Sequence, residues 1–94
     1  MKVRFALSAR RDFLARLQYI HRENPPAAIA LRGKVEQRLR RLERFPGSGR
    51  RIPEFPDLPY REAIVKPFRF FYRVEGEVAW IVAVWHEAQI PDEP

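Results

Sequence analysis

Hydrophobic and polar residues alternate in two regions of the chain, and both regions predict β-strands. Residues 2–7 (KVRFAL) form the first. The last third of the chain contains three more, at residues 60–65, 68–74 and 77–85, separated by two-residue connections. Connections of this length predict that the three strands pair antiparallel in chain order.

Between these regions the hydrophobic residues recur every three or four positions, which predicts two amphipathic helices. The first runs from Ala9 to about Glu23, with Ser8 as its expected N-cap. Asn24-Pro25-Pro26 separates it from the second, at residues 27–45. A short connection between two such helices predicts an antiparallel helical hairpin. Residues 46–59 (PGSGRRIPEFPDLP), which are rich in proline and glycine, are predicted to be a loop.

These elements predict an α+β fold in one domain, residues 1–94, of order β-α-α-β-β-β. A helical hairpin packs on a mostly antiparallel sheet of about four strands. The strand at 77–85 is apolar on both sides, so we expect it between the first strand and the strand at 68–74. Its core face consists of Val78, Trp80, Val82 and Val84, or of Ala79, Ile81, Ala83 and Trp85. The strand at 68–74 is expected to bury Phe68, Phe70, Tyr72 and Val74. The tail, 87–94, is expected to fray.

Composition narrows the possible chemistry. The chain has no cysteine, which excludes disulfides and thiol nucleophiles. Its two histidines and scattered carboxylates show no metal-ligand spacing, and no motif for a cofactor is present. No signal peptide and no membrane-spanning run is visible. We therefore expect a cytoplasmic protein that needs neither metal nor cofactor.

The charge is unevenly distributed along the chain. Through Arg73 there are 18 basic residues against seven acidic ones, for +11, and from Val74 onward there are five acidic residues and no basic one, for −5. A strongly basic region favours an anionic partner, either nucleic acid or an acidic polypeptide. The alternative is a solvated arginine-rich surface that binds nothing.

The residues best suited to bind a target lie on the last strands. Arg69 and Arg73 are expected on the sheet face away from the helices, near Arg61 and Lys66, where guanidinium groups would hold phosphates. Phe71 between them would stack on a base. Alternatively, the two strand arginines pair with a neighbouring carboxylate, from Glu62, Glu75 or Glu77. His86, at the end of the last strand, is either a general acid or base or a hydrogen-bonding strand terminator.

The segments "YREAIVKPFRFFYRVEGEVAWIVAVWH" and "ALSARRDFLARLQYI" resemble the RelE/ParE superfamily of toxins from type II toxin–antitoxin systems. RelE-like members are metal-independent, ribosome-dependent mRNA endoribonucleases. By that resemblance the catalytic residues would be Arg61, Arg69, Arg73 and His86. ParE-like members inhibit DNA gyrase and have no hydrolytic machinery.

The sequence departs from the ribonuclease pattern at two places. The second basic strand position of that pattern falls on Ala63, and "HEAQIPDEP" is acidic where ribonuclease members carry an arginine. An acidic residue there would repel the scissile phosphate. The resemblance therefore favours a gyrase inhibitor, with a ribonuclease as the alternative. A non-toxic RNA- or protein-binding module on the same scaffold is the third hypothesis.

The resemblance also implies a partner. Toxins of this superfamily are neutralised by a small antitoxin whose acidic, amphipathic C-terminal segment folds on the toxin, which gives a hetero-oligomer. The basic region would attract such a segment. For its contacts we expect Arg38 and Arg41 of the second helix and Arg50 and Arg51 of the loop.

Overall fold

The computed structural model describes all 94 residues. Two helices pack on a five-stranded sheet, and the predicted α+β class is confirmed. In chain order the elements are β1 (Lys2–Phe5), α1 (Leu7–Glu23), α2 (Pro25–Arg44), a 3-10 turn (Pro46–Ser48), β2 (Arg50–Arg51), β3 (Arg61–Val65), β4 (Phe68–Glu75) and β5 (Val78–His86). The strand β2 is an addition to the predicted order. It lies within the predicted loop and is only two residues long.

The two helix starts are set in different ways. Helix α1 begins at Leu7, so Ser8 lies within its first turn and is not the cap. The prediction was wrong because the Ala6 amide still donates to the Ile81 carbonyl (2.8 Å), which leads β1 directly into the helix. Helix α2 begins as the Pro pair predicts, and the Asn24 side chain caps it by accepting from the Ala27 amide (3.2 Å).

The sheet order is β1-β5-β4-β3-β2. Strand β5 therefore lies between β1 and β4, as its apolar character predicts. It pairs parallel with β1 and antiparallel with β4, and the pairs β4–β3 and β3–β2 are also antiparallel. The last pair joins Arg50 and Arg51 to Glu62 and Arg61, which brings the start of the loop onto the sheet edge.

A β-bulge decides which face of β5 enters the core. Phe71 pairs with Ala83 while Tyr72 pairs with Ile81, so Val82 is an extra residue that shifts the alternation. Ala79 and Ile81 are buried in the core before the bulge, and Val84 after it. Each of the two predicted core sets is thus right for only part of the strand.

The core forms between the hairpin and one face of the sheet. Phe13 of α1 contacts Phe70 of β4 edge-on (5.4 Å between ring centroids) and stacks on Phe5 of β1 (5.8 Å). Phe68, Phe70 and Tyr72 are buried as predicted, whereas Val74 is exposed. Strand β3 pairs with β4 only as far as Tyr72, so Val74 extends beyond its neighbour.

The first residues of the tail are fixed rather than frayed. The Gln89 side-chain oxygen accepts from the His86 amide (2.7 Å) and from Arg16 of α1 (2.9 Å), and Pro91 is buried. Neither helix is apolar enough over a sufficient length to cross a membrane.

Candidate functional site

Arg69 lies on the far face of the sheet, the face opposite the helices, and its charge is fully paired. Its side chain donates to both oxygens of Glu54 (2.8 and 2.6 Å) and to both oxygens of Glu62 (3.3 and 2.6 Å). These hydrogen bonds raise the pKa of Arg69 above its usual range. The residue is only 7% exposed. Arg69 therefore attaches the loop to the sheet, and this pairing argues against the prediction that it grips an external target.

The pairing continues beyond Arg69 as a network of two arginines and two glutamates. The buried carboxylate of Glu62 also accepts from Arg50 (3.2 and 3.1 Å), so the charges alternate along Arg50, Glu62, Arg69 and Glu54. The hydrogen bond from Arg69 lowers the pKa of Glu54 to about 2. The two buried charges, on Glu62 and Arg69, are tolerated because each has opposite partners. We call these four residues the charge network.

The two other candidates on the far face also have intramolecular partners. Phe71 is fully buried, and the Arg69 guanidinium lies 5.2 Å from its ring centroid, so no base can stack there. Arg73 pairs with Glu75 (3.1 Å) and lies 3.4 Å from the Tyr60 hydroxyl. Ion pairing, the alternative to phosphate binding, therefore describes both strand arginines.

The remaining candidates lie elsewhere. Arg61 stands opposite Tyr72, and directly opposed residues share a face, so Arg61 projects on the helical side. His86 stands opposite Phe68 on that same side, and its Nδ1 accepts from the Ala88 amide (3.0 Å) as a strand terminator does. Lys66 is exposed at the β3–β4 turn. The expected cluster of Arg61, Arg69, Arg73 and His86 is thus divided between two faces.

On the helical side, the segment after α2 packs tightly on Tyr72. The Tyr72 hydroxyl donates to the Pro46 carbonyl (2.6 Å) and accepts from the Gly49 amide (3.0 Å). Burial raises the pKa of Tyr72. A Cβ at Gly49 would lie 2.5 Å from the Tyr72 hydroxyl oxygen and 2.6 Å from the Glu62 carbonyl oxygen, which leaves room only for glycine. We call residues 46–49 the corner.

Two arginines contact the corner from either side. Arg38 of α2 donates to the Ser48 hydroxyl (3.0 Å), and Arg61 of β3 donates to the Gly49 carbonyl (3.0 Å). Burial and the neighbouring Arg41 lower the pKa of Arg38. Both guanidinium groups therefore contact neighbouring residues of the corner, and neither forms an ion pair with a carboxylate.

A groove runs between α1 and α2 beside β1, whose Phe5 contributes to its lining. Its apolar lining is partly open to solvent, since Leu14 is 45% exposed. Arg10, Arg32 and Glu36 lie beside it, and Arg32 is paired with Glu36 (3.2 Å). Its main lining residues are Phe13, Leu14, Leu17, Val35 and Leu39. An exposed apolar strip bordered by an arginine without an ion pair suits the apolar face of an acidic amphipathic helix.

The four arginines expected to meet an antitoxin lie apart from this groove. Arg38 and Arg41 are on the opposite flank of α2, because Val35 and Leu39 face α1 at helical spacing. Arg50 belongs to the charge network, and Arg51 donates to the Leu58 carbonyl (3.1 Å). No three histidine or carboxylate side chains converge to hold a metal ion.

A family model, the ParE toxin of the type II toxin–antitoxin system parDE, matches residues 3–91. The chain belongs to the ParE toxin family. This toxin is also similar to the chromosomal ParDE toxin–antitoxin system from P. aeruginosa in a solved structure, with a TM-score of 0.75 and 19% identity. The match covers 92% of this chain and 95% of that chain, and shows the shared fold. A comparison with curated proteins gives no significant match.

Family membership confirms the resemblance and the preference for its ParE-like branch. It makes this chain the toxin of a type II toxin–antitoxin pair, with an antitoxin as its partner.

Sequence reasoning missed two parts of the site. Glu54 lies between prolines in a loop without periodicity, so nothing in the sequence indicates that it contacts Arg69. The groove was also missed, although Leu14, which lines it, lies beside the apolar stripe of α1 and is exposed in the structure. An apolar residue away from the core stripe was the available signal.

Proposed function

We propose that this toxin inhibits DNA gyrase and has no ribonuclease activity. The observation that carries the proposal is the pairing of Arg69 with two carboxylates. An RNA-cleaving site needs cationic groups and a proton acceptor around one phosphate. Here Arg69 already holds two anions, and Arg61 and His86 project on the opposite face. The acidic residues Glu87, Asp92 and Glu93 that follow β5 further support the proposal, since they would repel RNA.

The test compares two targets with one preparation of toxin. Purified toxin is added to DNA gyrase with relaxed plasmid, and in parallel to translating ribosomes with a defined mRNA. We expect lost supercoiling or gyrase-cleaved plasmid together with intact mRNA. Codon-phased mRNA cuts would overturn the proposal. If neither target is affected and induced bacteria grow normally, the chain is a binding module on a toxin scaffold.

We further propose that the groove between α1 and α2 receives the antitoxin. Its lining offers apolar surface for the inner face of an amphipathic helix, and Arg10, which forms no ion pair, offers charge to the acidic face. A segment that folds on binding needs this combination, because apolar burial must offset the entropy of ordering it. The acidic residues that continue the segment remain candidates for contacts with Arg38, Arg41, Arg50 and Arg51.

Leu14→Glu tests the groove, because a carboxylate there would oppose both the apolar contact and the negative charge of the antitoxin. We expect at least about a tenfold loss of antitoxin affinity, equal to about 1.4 kcal/mol. Leu7→Glu is the matched control, since Leu7 is also on α1, is 64% exposed and does not line the groove. Equal affinities for the two variants in calorimetric titration would contradict the assignment. Their melting temperatures should match that of the unmodified toxin.

A further inference from the structure

Two guanidinium groups contact the corner and a third follows on the same flank of α2, all without an ion pair. Arg38 and Arg61 contact Ser48 and Gly49, and Arg41 follows Arg38 by three residues on α2, so the two share one flank of the helix. The five ion pairs of the protein, defined by a nitrogen–oxygen distance of at most 4.0 Å, include none of these three arginines. This cluster therefore differs from Arg69, whose charge is balanced by two glutamates.

No carboxylate of the protein offsets the charge of this cluster. Arg38 is partly buried, which removes water from its charge, and Arg41 adds repulsion. The hydrogen bonds to Ser48 and Gly49 hold two of the guanidinium groups in position but supply no negative charge. Positioned arginines without a partner are suited to bidentate contacts with phosphate oxygens.

We propose that Arg38, Arg41 and Arg61 bind the phosphate backbone of duplex DNA, so that the toxin contacts DNA as well as gyrase. Duplex DNA is inferred as the ligand from the proposed function, since gyrase acts on DNA. The three arginines of the cluster are the residues that would bind it.

The spacing along α2 fits a row of phosphates. Lys34 precedes Arg38 by four residues and Arg41 follows it by three, so the three side chains share one flank of the helix. From Lys34 to Arg41 the helix rises about 10 Å. One DNA strand carries a phosphate for about every 3.4 Å of axis, so this flank spans about three phosphates.

The cluster and the groove lie on opposite flanks of α2, so the two can be tested separately. Arg41→Gln/Arg61→Gln removes two positive charges from the cluster while keeping polar side chains at both sites. Arg4→Gln/Arg22→Gln is the control, because it removes the same charge from two exposed arginines, one on β1 and one at the end of α1, that also have no ion pair. Melting temperatures of both variants confirm that they are folded.

Binding to a fluorescently labelled short DNA duplex is measured by anisotropy, without gyrase, between about 50 and 200 mM salt. We expect the slope of log affinity against log salt to fall by about two for the cluster variant. The affinity at low salt should fall more than tenfold for that variant and less than about twofold for the control. Equal losses in the two variants would overturn the proposal, because the effect would then be net charge alone.

Two competitors identify the ligand. We expect that polyglutamate does not displace the labelled duplex. We also expect that single-stranded RNA of equal length binds no more tightly than the duplex. Both results would support a DNA site. A tighter complex with RNA or polyglutamate would overturn it.

Gyrase inhibition by the unmodified toxin is measured separately. If gyrase is inhibited equally by the cluster variant, and DNA affinity is unchanged, the cluster assignment fails while the proposed function stands. If the unmodified toxin does not inhibit gyrase, the proposed function fails.

Discussion

Arg69→Met removes the one cation that Glu54 and Glu62 share. The substitution keeps a long side chain, so most of the packing against Phe71 remains. Glu62, whose side chain is fully buried, then retains only its contact with Arg50. Glu54 loses its single ion pair but is 37% exposed and regains water. The loss of folding stability should therefore come chiefly from the buried carboxylate of Glu62.

The expected loss of unfolding free energy follows from how exposed these side chains are. Removing one partner of a buried ion pair costs about 3–5 kcal/mol. Because Arg50 remains and Glu54 is rehydrated, we expect the lower end, about 3 kcal/mol, which lowers the melting temperature of a domain of this size by about 12–24 °C. Adding Glu62→Met removes the orphaned carboxylate, and the double variant should lie within about 1 kcal/mol of the unmodified toxin.

Urea denaturation followed by circular dichroism measures these free energies, and the gyrase assay is run on the same samples. Arg73→Met is the control, because Arg73 is on the same strand face but its side chain is 42% exposed and its ion pair lies at the surface. It should lose less than about 1 kcal/mol. If Arg69→Met keeps full stability yet loses gyrase inhibition, Arg69 contacts the target directly and the structural role assigned here is refuted.

Two further predictions concern the corner and the loop. Gly49→Ala should destabilise the toxin by about 3 kcal/mol, because the added methyl meets the Tyr72 hydroxyl, whereas Gly33→Ala on open helix surface should stabilise it by about 0.5–1 kcal/mol. Equal melting temperatures would contradict this. The carboxyl of Glu54 has a pKa of about 2 when folded against 4.5 unfolded, so its stabilisation is complete above pH 4.5 and lost as the pH falls through 2. After allowance for solvent screening this is about 1 kcal/mol, so Glu54→Gln should be less stable by that amount at neutral pH, and a constant difference across acid denaturation curves would argue against it.

The sequence predicted the elements well where periodicity is long. Both helices, the three C-terminal strands and the central position of β5 followed from apolar spacing alone. Strand β2 was missed because two arginines in a proline-rich loop carry no alternation. The core face of β5 was left open, and the bulge at Val82 shows why, since one extra residue reverses the alternation within the strand.

The site was less predictable because it depends on register. Arg61 and Arg69 were expected to act together, but Arg61 stands opposite Tyr72 and Arg69 opposite Ile64, which puts them on different faces. A shift of one residue in the pairing of β3 with β4 would move each β3 side chain to the other face, and the spacing of residues in the sequence does not specify this register. Glu54 reaches Arg69 from a segment 15 residues earlier, a contact that only the folded loop creates.

The parallel pairing of β1 with β5 bears on when the toxin becomes active during its synthesis. Residues 2–5 pair with residues 78–81, so the first strand made waits for the last one before the sheet can close. A chain still emerging from the ribosome therefore exposes β1 and one side of the hairpin without their partners, and such long-range pairing forms late and slowly. The antitoxin has that interval in which to be made, because the complete toxin fold cannot form on a nascent fragment that lacks β5.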